Sequence, residues 1–315
     1  MSKNGLPRKP LTKRRLKNLI LNVLKNPFNM VVLVSLIILF CLIIIPLLTM
    51  ISSTFTLAQG ELRRVQGHVG DFTLYYWKYI LTGTMANAVL WGPLKNSFIC
   101  GFFTVLVSVP LGSVLAWLMI RTDIPGKKVL GLLVTVPYMI PSWTKALAWL
   151  AMFRNSTSGA NGFLAGMGIP VPDWLAYGPI AIVLCMSMHY YAFSYIMVSG
   201  ALRSINSELE EMGEIQGASK AQILRHITLP LILPSVLSAT VMTISKSIGT
   251  YGVPANLGNR IGYYTLATKM RNFIDQGPQS VGYAMSIVLV LLAALIIFSN
   301  QRIVGVRKSY ATVSG

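Results

Sequence analysis

The sequence predicts an all-α integral membrane protein with six transmembrane helices and a compact polar element between the fourth and the fifth. Three observations carry that reading. The chain is 54% hydrophobic and only 11% charged, with a mean hydropathy of +0.61, whereas soluble domains carry about a quarter charged residues. Apolar stretches recur at lengths near the roughly 20 helical residues that cross a hydrocarbon core. Between two of the longest runs lies "EMGEIQGASKAQILRHITLP", residues 211–230, which is charged and interrupted by Gly217. A water-soluble fold of this composition would leave large apolar patches exposed.

The spans are placed at residues 30–50, 97–120, 129–153, 176–199, 229–252 and 281–299. The first carries no charge, while the third and fifth contain Lys145 and Lys246. The first run is too long for a signal peptide and lacks a small-residue cleavage pattern. Lysine and arginine bias sets the orientation. Lys3, Arg8, Lys9, Lys13, Arg14, Arg15, Lys17 and Lys25 precede the first span, and Arg302, Arg307 and Lys308 follow the last. The basic turn "RTDIPGKK", residues 121–128, falls on the same side. Both termini are therefore expected in the cytoplasm. The formal charge of +18 follows from this bias and from anionic lipid. The basic residues flank spans rather than form a soluble domain, so no nucleic-acid partner is expected.

Cys41, Cys100 and Cys185 all fall in predicted spans and are odd in number, which supports neither a disulfide framework nor a metal site. His68, His189 and His226 are dispersed. No zinc spacing, phosphate-binding glycine loop or nucleophile–base set is present, so no catalytic residue, metal or cofactor is assigned to this chain.

The polar element reads as two short helices. Ser207 is a candidate cap, followed by acids in the first turn that suit the positive end of a helix dipole. Leu209, Met212 and Ile215 recur at helical spacing. Gly217 breaks the pattern, since glycine costs about 1 kcal/mol inside a helix relative to alanine. Ser219 can cap the second helix, in which Ile223, Leu224 and Ile227 form an apolar strip before Pro230. The pair is expected to lie against the inner membrane face. One reading is an amphipathic interfacial connector. Such anchors usually carry a basic polar face, whereas Glu208, Glu210, Glu211 and Glu214 make this one acidic, which favours a protein partner.

This stretch resembles the coupling motif of importer-type ABC transporter permeases, Glu-Ala-Ala, three residues, Gly, nine residues, Ile, one residue, Leu-Pro. Glu211, Gly217, Ile227, Leu229 and Pro230 occupy the matching positions, while Met212 and Gly213 stand where alanines are usual. "DFTLYYWKYIL" (residues 71–81), residues 96–128, "VPYMIPSWTKALAWLAMF" and "GANGFL" extend the similarity from about residue 71 to the C-terminus. The resemblance implies a permease subunit in a bacterial-type inner membrane. It implies as partners separate ATPase subunits that bind ATP and Mg, a second permease copy, identical or related, and an extracytoplasmic solute-binding protein. It implies coupling roles for Glu211, Gly213, Gly217, Ile227, Leu229 and Pro230. The division that follows is a basic segment 1–27, a first helix and loop 28–70, a permease core 71–300 with its coupling element at 207–230, and a tail 301–315.

Polar residues inside the spans are the candidate pathway. A charge at mid-membrane costs at least about 2.5–3.5 kcal/mol on insertion scales and usually faces a cavity or partner. Lys246 stands among Ser245, Ser247, Gly249, Thr250 and Gly252, and Lys145 stands near Pro141 and Trp143, where the third span can break. For both lysines, pathway lining competes with a structural pair or a snorkelling position. His189, beside Tyr190 and Tyr191, reads as a hydrogen-bonded packing residue. In the loop 252–274, Pro254, Gly258 and Gly262 forbid one long helix, but a short one fits 265–273. That loop resembles the ferric iron, polyamine, thiamine and phosphonate branch. The alternatives are an ion-gradient-driven transporter, which commonly carries membrane carboxylates, and a non-transporting scaffold. No Asp or Glu lies in a predicted span.

Overall fold

A computed structural model describes residues 27–61, 65–156, 159–206 and 208–307, with the backbone alone at 300 and 302–307. The basic segment before Pro27, the tail beyond Arg307 and the cap expected at Ser207 lie outside the described residues. Among those described, the structure is helical, and the one strand-like feature is an isolated bridge between Thr56 and Phe72.

Helix α1 (Pro27–Ser53) is apolar all round and buries none of its residues, as expected of a helix whose solvent is lipid. A loop leads to α2 (Tyr75–Leu81), then to a π turn at Asn87–Trp91 that runs into α3 (Gly92–Arg121). The chain continues through α4 (Lys127–Met139), α5 (Ser142–Phe153) and two single turns to α6 (Pro179–Ser204). Next come α7 (Glu208–Ile215), α8 (Lys220–Ile223) and a second π turn at Leu224–Thr228 that opens α9 (Leu229–Gly249). Finally α10 (Gly252–Leu257), α11 (Leu266–Gln276) and α12 (Gln279–Arg307) complete the fold.

Among the described residues, five helical runs are long and apolar enough to cross a membrane. The third predicted span differs, being divided into α4 and α5. These have 13 and 12 residues, and neither reaches the roughly 30 Å of a hydrocarbon core at about 1.5 Å per residue. Pro141 causes the division. A residue before proline is pushed out of the helical region, and Ile140 is extended, with φ −78° and ψ 131°. The last helix also runs past its expected end at 299.

The core is a tight triangle of α3, α6 and α9. Small residues permit it: a Cβ at Gly112 would come within 2.4 Å of the Tyr191 carbonyl oxygen and 2.7 Å of Ser194 Cβ, so α3 and α6 touch backbone to backbone there. At one end of the triangle Ala116, Met119, Tyr195, Val198, Leu202 and Ile232 form a core beside α7. At the other end Cys100, Ala146, Ile182, Val253 and Leu257 tie α5 and α10 onto α3 and α6. A third cluster joins α2 and α11 to α12 through Tyr76, Ile80, Leu266, Val281 and Met285.

Candidate functional site

Two constructions stand out, one at each end of the triangle. The first is the polar element. Helix α7 ends in a paired C-terminal lock, in which the Gly217 amide donates to the Glu214 carbonyl at 2.9 Å and the Ala218 amide to the Gly213 carbonyl at 3.0 Å. That lock needs a left-handed residue, and Gly217 supplies it with φ +83°. Ser219 then caps α8 in a reciprocal arrangement with Gln222. The two expected helices and the glycine between them are therefore present.

The close approach sits elsewhere than at Gly217. A Cβ on Gly217 would meet no atom within 4 Å, whereas one on Gly213 would lie 3.2 Å from both Ile223 and Ile227. Gly213 is where α7 rests on the second half of the element. The face turned inward is Glu210 and Gly213, while Leu209, Met212 and Ile215 are 43%, 56% and 85% exposed. The apolar strip read from the sequence therefore points away from this chain's own bundle, as does the exposed carboxylate Glu211.

Three residues not assigned a role from the sequence fix the element in place. Glu210 Oε2 lies 2.8 Å from Arg121 Nε, with both side chains about five-sixths buried at 16% and 17% exposure. Thr228 Oγ1 donates to Glu210 Oε1 at 2.6 Å. Arg121 closes α3 and Thr228 precedes α9, so one carboxylate clamps α7 to two core helices. Beyond Thr228, Leu229 and Pro230 begin α9. Pro230 has no N–H and its ring opposes a regular preceding turn. The chain answers with the π turn, whose Leu229 amide donates to the Leu224 carbonyl.

The second construction gathers side chains from α4, α5, α6 and α9. Pro141 offers no N–H to the Pro137 carbonyl, which would otherwise be bonded across the turn. Lys145 Nζ donates to that carbonyl instead and also contacts His189 Nδ1. Tyr138 stacks on His189, with ring centroids 5.2 Å apart, and its hydroxyl accepts from Lys246 Nζ at 3.1 Å. Lys246 Nζ also sits 4.6 Å from the Phe193 ring centroid, a cation–π position. Tyr138 and His189 together thus link two lysines that the sequence presented separately. Thr250 holds Tyr190 at 2.7 Å, while Ser245 is half-buried and outside these contacts. Lys246 lies in the last turn of α9 rather than at its centre, where the carbonyl end of the helix favours a cation. All nine acids of the chain fall outside α1, α3, α4, α5, α6, α9 and α12, so no carboxylate on these helices neutralises the cluster. Among the described residues no group of His, Cys, Asp or Glu is placed to hold a metal.

Residues 79–309 match the family described as binding-protein-dependent transport system inner membrane component. A probable sulfate transport system permease protein from Marchantia polymorpha is 25% identical over 241 residues, covering 73% of this chain and 81% of that protein. A putative 2-aminoethylphosphonate transport system permease protein from Salmonella typhimurium is 28% identical over 232 residues, covering 74% and 80%. Among solved structures, a bacterial ABC transporter involved in import of the acidic polysaccharide alginate aligns with a TM-score of 0.65 at 18% identity, over 91% of this chain and 98% of that one. A methionine ABC transporter in an inward-facing conformation aligns with a TM-score of 0.53 at 23% identity, over 70% and 94%.

Proposed function

The chain belongs to the family of binding-protein-dependent transport system inner membrane components, the permeases of ABC importers, and we propose that it forms half of a solute pathway driven by separate ATPase subunits. The observation that carries the proposal is the clamp at Glu210. A lever must be stiff at its fulcrum and free at its contact face. Glu210 ties α7 to α3 and α9 through Arg121 and Thr228, while Leu209, Met212 and Ile215 are exposed. In this reading the ATPase receives those three apolar side chains, flanked by Glu208, Glu211 and Glu214, and its movement reaches α9 through the second π turn, Ile227, Leu229 and Pro230. The α7 end and both termini face the cytoplasm, ATP and Mg bind the partner, and a second permease copy and a solute-binding protein complete the assembly. Copurification tests it: the ATPase should come with the chain, and Ile215→Asp with Met212→Asp should release it while leaving the permease in the membrane. Full retention of the ATPase by that variant refutes the docking face.

The solute we propose is a small oxyanion. Lys145, His189 and Lys246 present donors without a nearby carboxylate on the long helices, which disfavours a polyamine or ferric ion and suits phosphonate- or sulfate-type groups. The relatives named for sulfate and 2-aminoethylphosphonate transport agree with this choice. Uptake of labelled candidate anions by vesicles carrying the whole transporter decides the matter.

A further inference from the structure

A cavity of about 520 Å³ lies between the α7 ends of α3, α4 and α6, away from the cluster of Lys145 and Lys246. Lys127, Lys128 and Arg203 line it. One exposed carboxylate, Asp123, stands 3.8 Å from Lys127; Glu210, the other acid close to this end of α3, is already engaged by Arg121. The positive end of the 13-residue α4 dipole adds to the same rim.

Two features show a built pocket rather than a basic surface. Ser199 also lines the cavity, is only 5% exposed, and its Oγ has no hydrogen-bond partner. Ser97, Ser238 and Ser286 back-bond to the carbonyl four residues earlier; Ser199 does not, and neither do Ser108, Ser113, Ser194 and Ser247, but of these five it is Ser199 that lines the cavity. The space itself exists because two wall positions, Gly131 and Gly200, lack side chains. A Cβ at Gly131 would meet only the Tyr195 hydroxyl, at 3.6 Å, and one at Gly200 would meet nothing within 4 Å. Packing therefore does not demand glycine at either place.

We propose that this cavity holds the phosphate group of an anionic phospholipid at the membrane face. Three cations and a buried hydroxyl suit a phosphodiester. The lipid source is favoured over free phosphate because the wall continues onto outward apolar surface: Ile196, Leu132 and Leu133 are 45%, 62% and 57% exposed and offer acyl chains a place to lie. Orientation bias alone accounts for basic residues at this end, but not for the recessed, half-open volume or the unpartnered hydroxyl in its wall. A headgroup here joins the ends of α3, α4 and α6, and α3 ends in the arginine that clamps α7. The bound lipid thereby stiffens the fulcrum.

The test uses the full chain, purified with the subunits that accompany it, and reads retained lipid by native mass spectrometry and thermal midpoint in phosphatidylglycerol, phosphatidylcholine and inorganic phosphate. Phosphatidylglycerol should be retained and raise the midpoint, whereas phosphatidylcholine and millimolar inorganic phosphate should do neither. Lys128→Gln with Arg203→Gln should weaken retention about thirtyfold, from about fivefold per cation removed at a membrane surface. Gly131→Leu with Gly200→Leu, which fills the cavity and leaves every charge in place, should also abolish retention. If the filled variant keeps phosphatidylglycerol as well as the wild type does, the attraction is surface charge alone and the proposal fails. If inorganic phosphate raises the midpoint as far as phosphatidylglycerol does, the site belongs to a free anion and the lipid assignment is overturned.

Discussion

Replacing Arg121 with Gln should loosen α7 without disturbing the long helices. The substitution leaves the Glu210 carboxylate with Thr228 as its remaining described partner, at 16% side-chain exposure. Removing one member of a fully buried ion pair costs about 3–5 kcal/mol. Water reaches part of this pair, so the expected cost is roughly 2–3 kcal/mol. At about 1.4 kcal/mol per factor of ten, amide hydrogens in α7 should exchange about 30- to 150-fold faster. Hydrogen–deuterium exchange with mass spectrometry on the purified transporter reads this, with peptides from α6 and α12 as internal controls. The double replacement Arg121→Met and Glu210→Met removes both charges and should recover part of the loss, because no unpaired ion remains buried. Solute uptake should fall with the single change more than with the double. Exchange in α7 that rises less than about threefold, or a double variant as loose as the sum of the singles, would refute the fulcrum.

Other outcomes follow from the same geometry. Gly217→Val should cost about 1–2 kcal/mol for its left-handed backbone, and Gly217→Asn clearly less, because asparagine tolerates that conformation while the open space around the Cβ admits either side chain; ATPase pull-down ranks the two. Gly213→Ala should be nearly neutral in uptake, since its Cβ presses on side-chain atoms, Cγ1 of Ile223 and Cδ1 of Ile227, and on no backbone, while Gly213→Val should uncouple transport. Lys246→Met should lower anion uptake at least tenfold, the scale of one lost charge-assisted hydrogen bond of about 1.5–3 kcal/mol, with assembly unchanged on gel filtration; unchanged uptake removes Lys246 from the pathway. An impermeant thiol reagent applied to intact cells should label Asn259→Cys and spare Ser2→Cys, and reversed labelling would place α7 on the wrong side for an ATPase.

The sequence made some of this legible because the causes were local. Pro141 divides the third span by its own stereochemistry, and Gly217 and Ser219 mark one helix end and the next helix start within three positions. Lys145 and Lys246 could each be singled out as charges in apolar runs. Their linkage through His189 and Tyr138 could not, since it depends on how α4, α5, α6 and α9 cross. The Arg121–Glu210 pair was hidden for the same reason: Arg121 read only as one more basic residue in an orientation-setting turn, and Glu210 as one of four similar acids. The inward and outward faces of α7 were not legible either. Periodicity locates an apolar strip but does not say whether the strip is kept for the chain's own core or for a partner, and here Glu210 and Gly213 won the inner face through an ion pair and a close contact.

The π turn at Leu224–Thr228 has one more residue than a regular helical turn requires. A regular helical residue sweeps about 100° and advances about 1.5 Å, but the wide turn takes up the surplus residue over nearly the arc of a regular turn with one residue fewer, so α7 and α8 keep their azimuth relative to α9. A residue added to the regular part of the helix, with no such turn to absorb it, would swing the acidic face around by more than a quarter-circle while every span kept its composition. The widened turn thus holds the angular phase between the membrane helix and its cytoplasmic arm, and a phase error there would leave a permease that inserts, folds and presents the wrong side to the proposed ATPase.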